Sequence, residues 1–376
     1  MPRLVHVSDT HLGFQAYSRL TTDGLNQREV DFQDAFARVV DAAVADPPDL
    51  FLHTGDLFDH PRPTNRAIAH ALHQVRRLAD RKVPTVLVSG NHDAPRMRET
   101  GSIFRVFEDL PGVHAVYRGQ LETIQAGGMT VHAVSQAITQ EAFHAQLAAA
   151  KPEGPGPHVL AVHGTVLGVD GLFTSEFNEY QIPANAIRPD FDYIALGHFH
   201  NAKRVADNAW YAGSAEYCSF AEADEPKVWL DAQVDRGQAK VRHRETGARP
   251  MKDLGVVDAT GLDRDRLMEA LRVAVGNAPK ASVARLTVER LERALARTLD
   301  WEGVRALRPD LCHLELRPRV LEEVGASEAG LELAGIAREF ESFLGRYPLP
   351  DGLRDEIRTE AMACLADAQA GGDGAA

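Results

Sequence analysis

Short apolar runs alternate with amphipathic stretches through the first hundred or so residues. Leu4 to Ser8 has the pattern of a buried strand and stops at Asp9-Thr10-His11. Val30, Ala35, Phe36, Val39, Val40, Ala43 and Val44 recur at helical spacing and predict a helix over 28–45, stopped by Pro47-Pro48. Leu50 to His53 predicts a second strand, followed by Thr-Gly-Asp-Leu-Phe-Asp. Pro63 at a helix start opens a second stripe of Ile68, Ala71, Leu72, Val75 and Leu78. Val83 to Ser89 predicts a third strand, which runs into Gly-Asn-His-Asp. This βαβαβ order predicts an α/β core.

From about Val113 the texture changes. The runs "MTVHAVS", "HVLAVHG", "FDYIALGHFH", "NAWYAGSAEY" and "KVWLDAQVD" predict strands, and "KPEGPGP" at 151–157 predicts a loop. The expected architecture is two stacked mixed sheets flanked by helices over residues 1–250. Beyond Pro250, strand and helix patterns alternate again and predict a small α+β unit over 251–320. Leu331, Ala334, Ile336, Ala337, Phe340, Phe343 and Leu344 form one helical stripe. Leu353, Ile357, Ala361, Met362 and Leu365 form a second, so 321–368 reads as a helical tail. The glycine-rich end, 369–376, is expected to be disordered.

Composition bounds the reading. The chain has 376 residues, 44% hydrophobic and 25% charged, which is globular. Its three cysteines, Cys218, Cys312 and Cys364, are far apart in sequence, with no spacing of a disulfide framework or a thiolate zinc site. The start lacks a signal-peptide pattern, and no apolar run reaches the roughly 18 residues of a membrane span. A soluble, cytoplasmic, nucleoid-associated protein without a membrane partner is the expectation. The net charge of −13 argues against a protein that coats nucleic acid with a basic face. It does not exclude nucleic acid as a substrate, because cations bound by site acids change the local field.

The chemistry sits where the strands stop. Asp9, His11, Asp56, Asn91, His92, His163, His198 and His200 each follow a run of Val, Ile or Leu. Strand ends on one edge of an α/β sheet converge in space, so residues distant in sequence can form one cluster. Carboxylate, amide oxygen and imidazole together suit Mn²⁺, Fe²⁺ or Zn²⁺ better than Mg²⁺ or Ca²⁺. The set is too large for one ion. Two ions about 3.5–4 Å apart sharing a carboxylate would use it and would cleave phosphoesters.

The motifs "DTHLG", "GDLFD", "GNHD", "VHG" and "GHFH" resemble the five motifs of the calcineurin-like metallophosphoesterases. "SDTHLG" at the start, "GDLFDHPRPT", "ALGHFH" and "YAGSAEYCSFAE" resemble the SbcD-type DNA-repair nuclease branch. The resemblance implies an αββα sandwich followed by a capping domain. It implies that Asp9, His11 and His200 hold one metal, that Asn91, His163 and His198 hold the other, and that Asp56 bridges them. The implied ions are two Mn²⁺. His92 matches the family's catalytic histidine, and Asp59 is expected to pair with it and keep it protonated. The implied partners are DNA (double-stranded ends, hairpins or single strands), an SbcC-type coiled-coil ABC ATPase docked on the tail, and a second copy of the chain.

Arg62, Arg66, Arg96 and Arg98 follow the second and third motifs and are expected to meet DNA phosphates. The reading is therefore a two-metal DNA exonuclease and endonuclease within an ATP-driven repair complex. A stand-alone phosphodiesterase for cyclic nucleotides or other small diesters competes with it, and so does a non-catalytic scaffold.

Overall fold

The computed structural model describes residues 1–94, 101–136, 139–169, 179–321, 340–341, 343–345 and 351–372. The chain begins β1 (Arg3–Val7), α1 (Gln27–Ala45), β2 (Leu50–Thr54), α2 (Asn65–Asp80) and β3 (Thr85–Val88). Next come β4 (Val113–Val116), β5 (Leu121–Ala126), β6 (Met129–Val134), α3 (Gln140–Ala149) and β7 (His158–His163). Two short strands, β8 (Thr165–Val166) and β9 (Gln181–Ile182), pair with each other. Then follow β10 (Tyr193–Gly197), β11 (Lys203–Ala206), β12 (Ala209–Tyr211), β13 (Val228–Asp235) and β14 (Gln238–Glu245).

The helices start where the sequence offers caps. The Asn26 side chain accepts the N–H of Arg28 and of Glu29, at 3.0 and 3.3 Å, and Thr64 accepts that of Ala67 at 3.2 Å. Two six-stranded sheets form, in the orders β14-β13-β1-β2-β3-β4 and β11-β12-β10-β7-β6-β5. β1 to β4 are parallel, with β4 one edge, as are β6, β7, β10 and β12, and antiparallel strands form the other three edges. The sheets stack through Leu4, Leu52, Val86 and Val88 against Val131, Ala133, Val159 and Ala195. Outside the first sheet, Val5, Val7 and Phe51 pack on Phe36, Val39 and Val75 of α1 and α2. Outside the second, Leu160 and Ile194 pack with Phe143 and Leu147 of α3. The central strands are thus buried on both faces, which is why they read as unbroken apolar runs.

The small unit runs β15 (Met251–Asp258), α4 (Arg264–Gly276), β16 (Val283–Leu291), α5 (Arg293–Thr298), α6 (Trp301–Ala306) and β17 (His313–Val320). Its sheet order is β15-β16-β17, and Leu267, Leu271, Leu286, Val288 and Val304 form its own core. Arg249 bonds both oxygens of Asp31, in α1, at 2.6 Å each, and its third nitrogen donates to the Ala281 carbonyl at the foot of β16. Arg28 and Glu216, both buried, continue that network.

The tail belongs to a separate unit. It contains α7 (Asp351–Gly372), where Arg358 pairs with Glu341 at 3.2 Å and with Asp355 at 3.1 Å. Leu353 and Met362 are exposed on it. Of the first tail stripe, Leu331, Ala334, Ile336 and Ala337 lie outside the described residues, and Phe343 is exposed. Residues 369–372 are helical rather than disordered as expected. The alanine-rich run ahead of them favours the helix, and a glycine costs a helix only about 1 kcal/mol. Among the described residues, no helix is long and apolar enough to cross a membrane.

Candidate metal centre

The carboxyl ends of β1, β2 and β3 share one edge of the first sheet, and those of β7 and β10 share one edge of the second. Backbone bonds join the loops beyond them. Asp9 N–H donates to the Gly55 carbonyl, and His11 N–H to that of Asp56, both at 3.0 Å. Gly164 N–H donates to the Gly197 carbonyl at 3.1 Å. The turns are tight enough to force left-handed backbone on side chains that disfavour it. Asp9, His11, Asp56 and His198 have φ of 51°, 40°, 53° and 104°. Strain of this kind costs about 1–3 kcal/mol per residue and gathers at functional sites. The loops also approach one another so closely that a Cβ at Gly55 would strike the His163 ring, and one at Gly90 would strike the Asp56 carboxylate.

Two donor groups result, and they share one residue. Asp56, His163 and His198 offer ligand atoms within 4.8 Å of one another, and so do Asp9, His11 and Asp56. Asn91 joins the first group, its Oδ1 lying 2.9 Å from His163 Nε2 and 3.2 Å from His198 Nδ1. His163 Nδ1 meets the Thr54 carbonyl at 2.8 Å, so it must carry the proton. In the neutral ring, Nε2 is then a bare lone pair, facing Asn91 Oδ1 and, at 3.2 Å, Asp56 Oδ2. Three acceptors turned on one another need a cation among them, and this donor set fits a divalent metal. Without one a proton serves. Burial pushes the His163 pKa down, but the charge and hydrogen bond of Asp56, the Asp9 charge and the Thr54 carbonyl together outweigh it and raise it to about 9. Burial likewise opposes ionisation of Asp9 and Asp56, yet the neighbouring imidazoliums, His163 foremost, hold both carboxyls below their usual range.

In the other group, His11 Nε2 and His200 Nε2 face each other at 3.1 Å, and Asp9 Oδ1 lies 3.9 Å from the latter. His200 Nδ1 rests on Glu222 Oε1 at 3.1 Å, a carboxylate that fixes the ring as metal-bound histidines are commonly fixed. Glu222 in turn accepts buried Lys227 at 2.5 Å and the N–H groups of Cys218 and Ser219. In the sequence this stretch is legible only as a family mark. The spacing Ser219-x-x-Glu222 signals a capping box, which is present, but nothing in it points to His200. Glu179 was missed as well. It lies 3.4 Å from His198 and is hydrogen-bonded by Thr165.

The structure differs from expectation at Asp59. Its carboxylate lies 3.3 Å from His11 Nδ1 and 3.3 Å from His60, and it is the Asp59 carbonyl oxygen that meets His92 Nδ1, at 3.1 Å. The cause is the backbone. Asp59 N–H donates to the Leu12 carbonyl, laying this residue alongside the β1 loop, so the side chain turns to His11. His92 N–H donates to Asp56 Oδ1 at 2.9 Å, and its ring stands edge-on to His11 with centroids 4.8 Å apart. Asp93 braces the turn, accepting the N–H groups of Gly90 and Leu57 at 2.7 and 2.8 Å. Burial raises its carboxyl to about 7. Of the four arginines, Arg62 is exposed, and Arg66 donates to buried Glu29 at 3.1 Å. Arg96 and Arg98 lie outside the described residues.

The chain is similar to proteins of known name. A DNA double-strand break repair protein Mre11 from Sulfolobus acidocaldarius is 30% identical over 208 residues, 54% of this chain and 50% of that protein. The protein of that name from Haloferax volcanii is 26% identical over 400 residues, 98% of this chain and 83% of that protein. For Methanopyrus kandleri the figures are 26% over 392 residues, 96% and 82%. The chain spans about half the length of the first relatives it matches. The family model described as calcineurin-like phosphoesterase matches residues 2–202, more than half of the chain and every strand end just described. The chain belongs to the calcineurin-like phosphoesterase family.

Proposed function

We propose that this protein is a two-metal DNA nuclease of the SbcD type, the catalytic subunit of an ATP-driven repair complex. The observation that carries the reading is the pair of donor groups sharing the Asp56 carboxylate, with His92 beside them. Asp9, His11 and His200 would hold one ion, Asn91, His163 and His198 the other, and Asp56 both. When bound, two divalent cations, Mn²⁺ in this reading, supply Lewis acidity at the phosphoryl oxygens and a water acidified to hydroxide near neutral pH.

The chain's own groups do the rest. The Asp59 carbonyl orients His92 through Nδ1, which leaves Nε2 to face the scissile phosphate. Acting as imidazolium, His92 gives its Nε2 proton to the leaving oxygen. Asp56 Oδ1 holds the His92 backbone and so keeps that ring in register with the donor groups. DNA as substrate is supported by the relatives' name as DNA double-strand break repair proteins. It is also supported by exposed Arg62, close in sequence after the second motif, and by Arg96 and Arg98, which follow the third motif in sequence and lie outside the described residues; arginines there would meet backbone phosphates. The exposed Leu353 and Met362 of α7 suit docking to a coiled-coil ATPase.

The test is Mn²⁺-dependent cleavage of end-labelled duplex and hairpin DNA beside bis-p-nitrophenyl phosphate and cyclic AMP, with His92→Ala as control. Degradation of DNA from its ends, lost in a variant that still binds Mn²⁺, is the expected result. Turnover of the small diesters alone, even with an SbcC-type partner added, would sink the nuclease reading.

A further inference from the structure

We propose that Cys218 is a further metal donor and that, with His11 and His200, it makes the first metal position a site for thiophilic divalent cations such as Zn²⁺. The Cys218 sulfur and one nitrogen from each of the two imidazoles lie within 4.8 Å of one another. Nothing in the ligand set that the family motifs imply includes a sulfur.

The placement is built rather than incidental. Glu222 aims His200 by holding its Nδ1, and the same carboxylate accepts the backbone N–H of Cys218 at 3.3 Å. One buried acid, itself anchored by Lys227, therefore sets both the imidazole and the backbone that carries the thiol. With Nδ1 committed to Glu222, the neutral His200 ring turns a bare Nε2 lone pair toward His11 Nε2 at 3.1 Å. Two imidazole nitrogens facing each other, with a sulfur beside them, make a soft pocket. Cys218 is a free thiol and open to this use.

Mn²⁺ favours oxygen and nitrogen and leaves such a thiol protonated. Zn²⁺ binds an N/O/S site more tightly than Mn²⁺ and is selected further by thiolate. On Zn²⁺ binding the S–H proton leaves to solvent and the sulfur takes the metal. Asp9 Oδ1 lies 3.9 Å from His200 Nε2, so the thiolate would add a sulfur to a position where His11, His200 and Asp9 already offer donors. Cysteine spacing hides this site, because the fold brings Cys218 to a histidine from the opposite end of the domain.

The site depends on the first metal position and not on the substrate. Co²⁺ added to the metal-free full-length protein should give a near-ultraviolet thiolate-to-metal charge-transfer band. Cys218→Ser should lose the band, and excess Zn²⁺ should displace it, while a Cys312→Ser/Cys364→Ser protein should keep it. Chelator competition should show Zn²⁺ affinity falling about tenfold or more in Cys218→Ser, with Mn²⁺ affinity changed far less. Matching metal-free melts establish that the variants fold. A wild-type protein without the band, or a band that survives in Cys218→Ser, overturns the proposal. Either result leaves Mn²⁺-dependent cleavage to stand or fall separately.

Discussion

Glu222 never touches a proposed substrate, yet it decides which nitrogen of His200 is available. Glu222→Gln keeps an acceptor but removes the charge that favours the Nδ1–H tautomer. Mn²⁺ affinity at one of two sites should fall by about 10–100-fold, read by isothermal titration, with the metal-free melt little changed. An unchanged affinity would make Glu222 a purely structural residue. His163 gives a pH signature. Its raised pKa of about 9 means that metal must displace a proton, so affinity should climb by up to about tenfold per pH unit from 7 to 9 and then level off. The linked stability runs the other way. Between the ordinary value of 6.5 and about 9 the folded metal-free protein holds a proton that the unfolded chain does not. The contribution is complete below 6.5 and is lost as pH rises to 9, at no more than about 1.4 kcal/mol per unit. Denaturant melts of wild type against His163→Gln isolate it. At this scale the strand-end residues were legible because each interrupts an apolar run. Glu222 and Cys218 were not, since only tertiary folding brings them to His200. Spacing also could not tell whether Asp59 would offer His92 its carboxylate or its carbonyl.

Elements were legible in proportion to their burial. β1, β2, β3, β7 and β10 are buried on both faces and stood out as apolar runs. β14, whose sequence QAKVRHRE is mostly exposed, has no such signature and forms an edge only because β13 lends it hydrogen bonds. α3 was missed for a like reason, as it buries only Phe143 and Leu147. One link between elements carries a prediction. Arg249 is the bidentate partner of Asp31 and also holds the Ala281 carbonyl, so it ties α1 to the foot of β16. Arg249→Met should cost about 3 kcal/mol in urea unfolding, because it leaves buried Asp31 with one cationic partner, Arg28, and the Gln27 amide. Adding Asp31→Asn should cost less than the sum of the two single changes. Simple additivity would show that the pair does not act as a unit.

For the whole molecule, the stacking of two sheets is the part of the architecture that the candidate site depends on, because each sheet supplies only some of the donors. β1 sits in the middle of its sheet. Its parallel neighbour β2 follows within fifty residues, but its antiparallel neighbour is β13, with Arg3 opposite Gln233 and His6 opposite Leu230. The second sheet lies wholly between them in the chain. During synthesis, then, one flank of β1 stays open until β13 (Val228–Asp235) has left the ribosome. An apolar strand with a free hydrogen-bonding edge invites pairing with another nascent chain. β1 is thus among the last strands to be enclosed, and Asp9 and His11 just beyond it are the first of these donors made and among the last to be set in place.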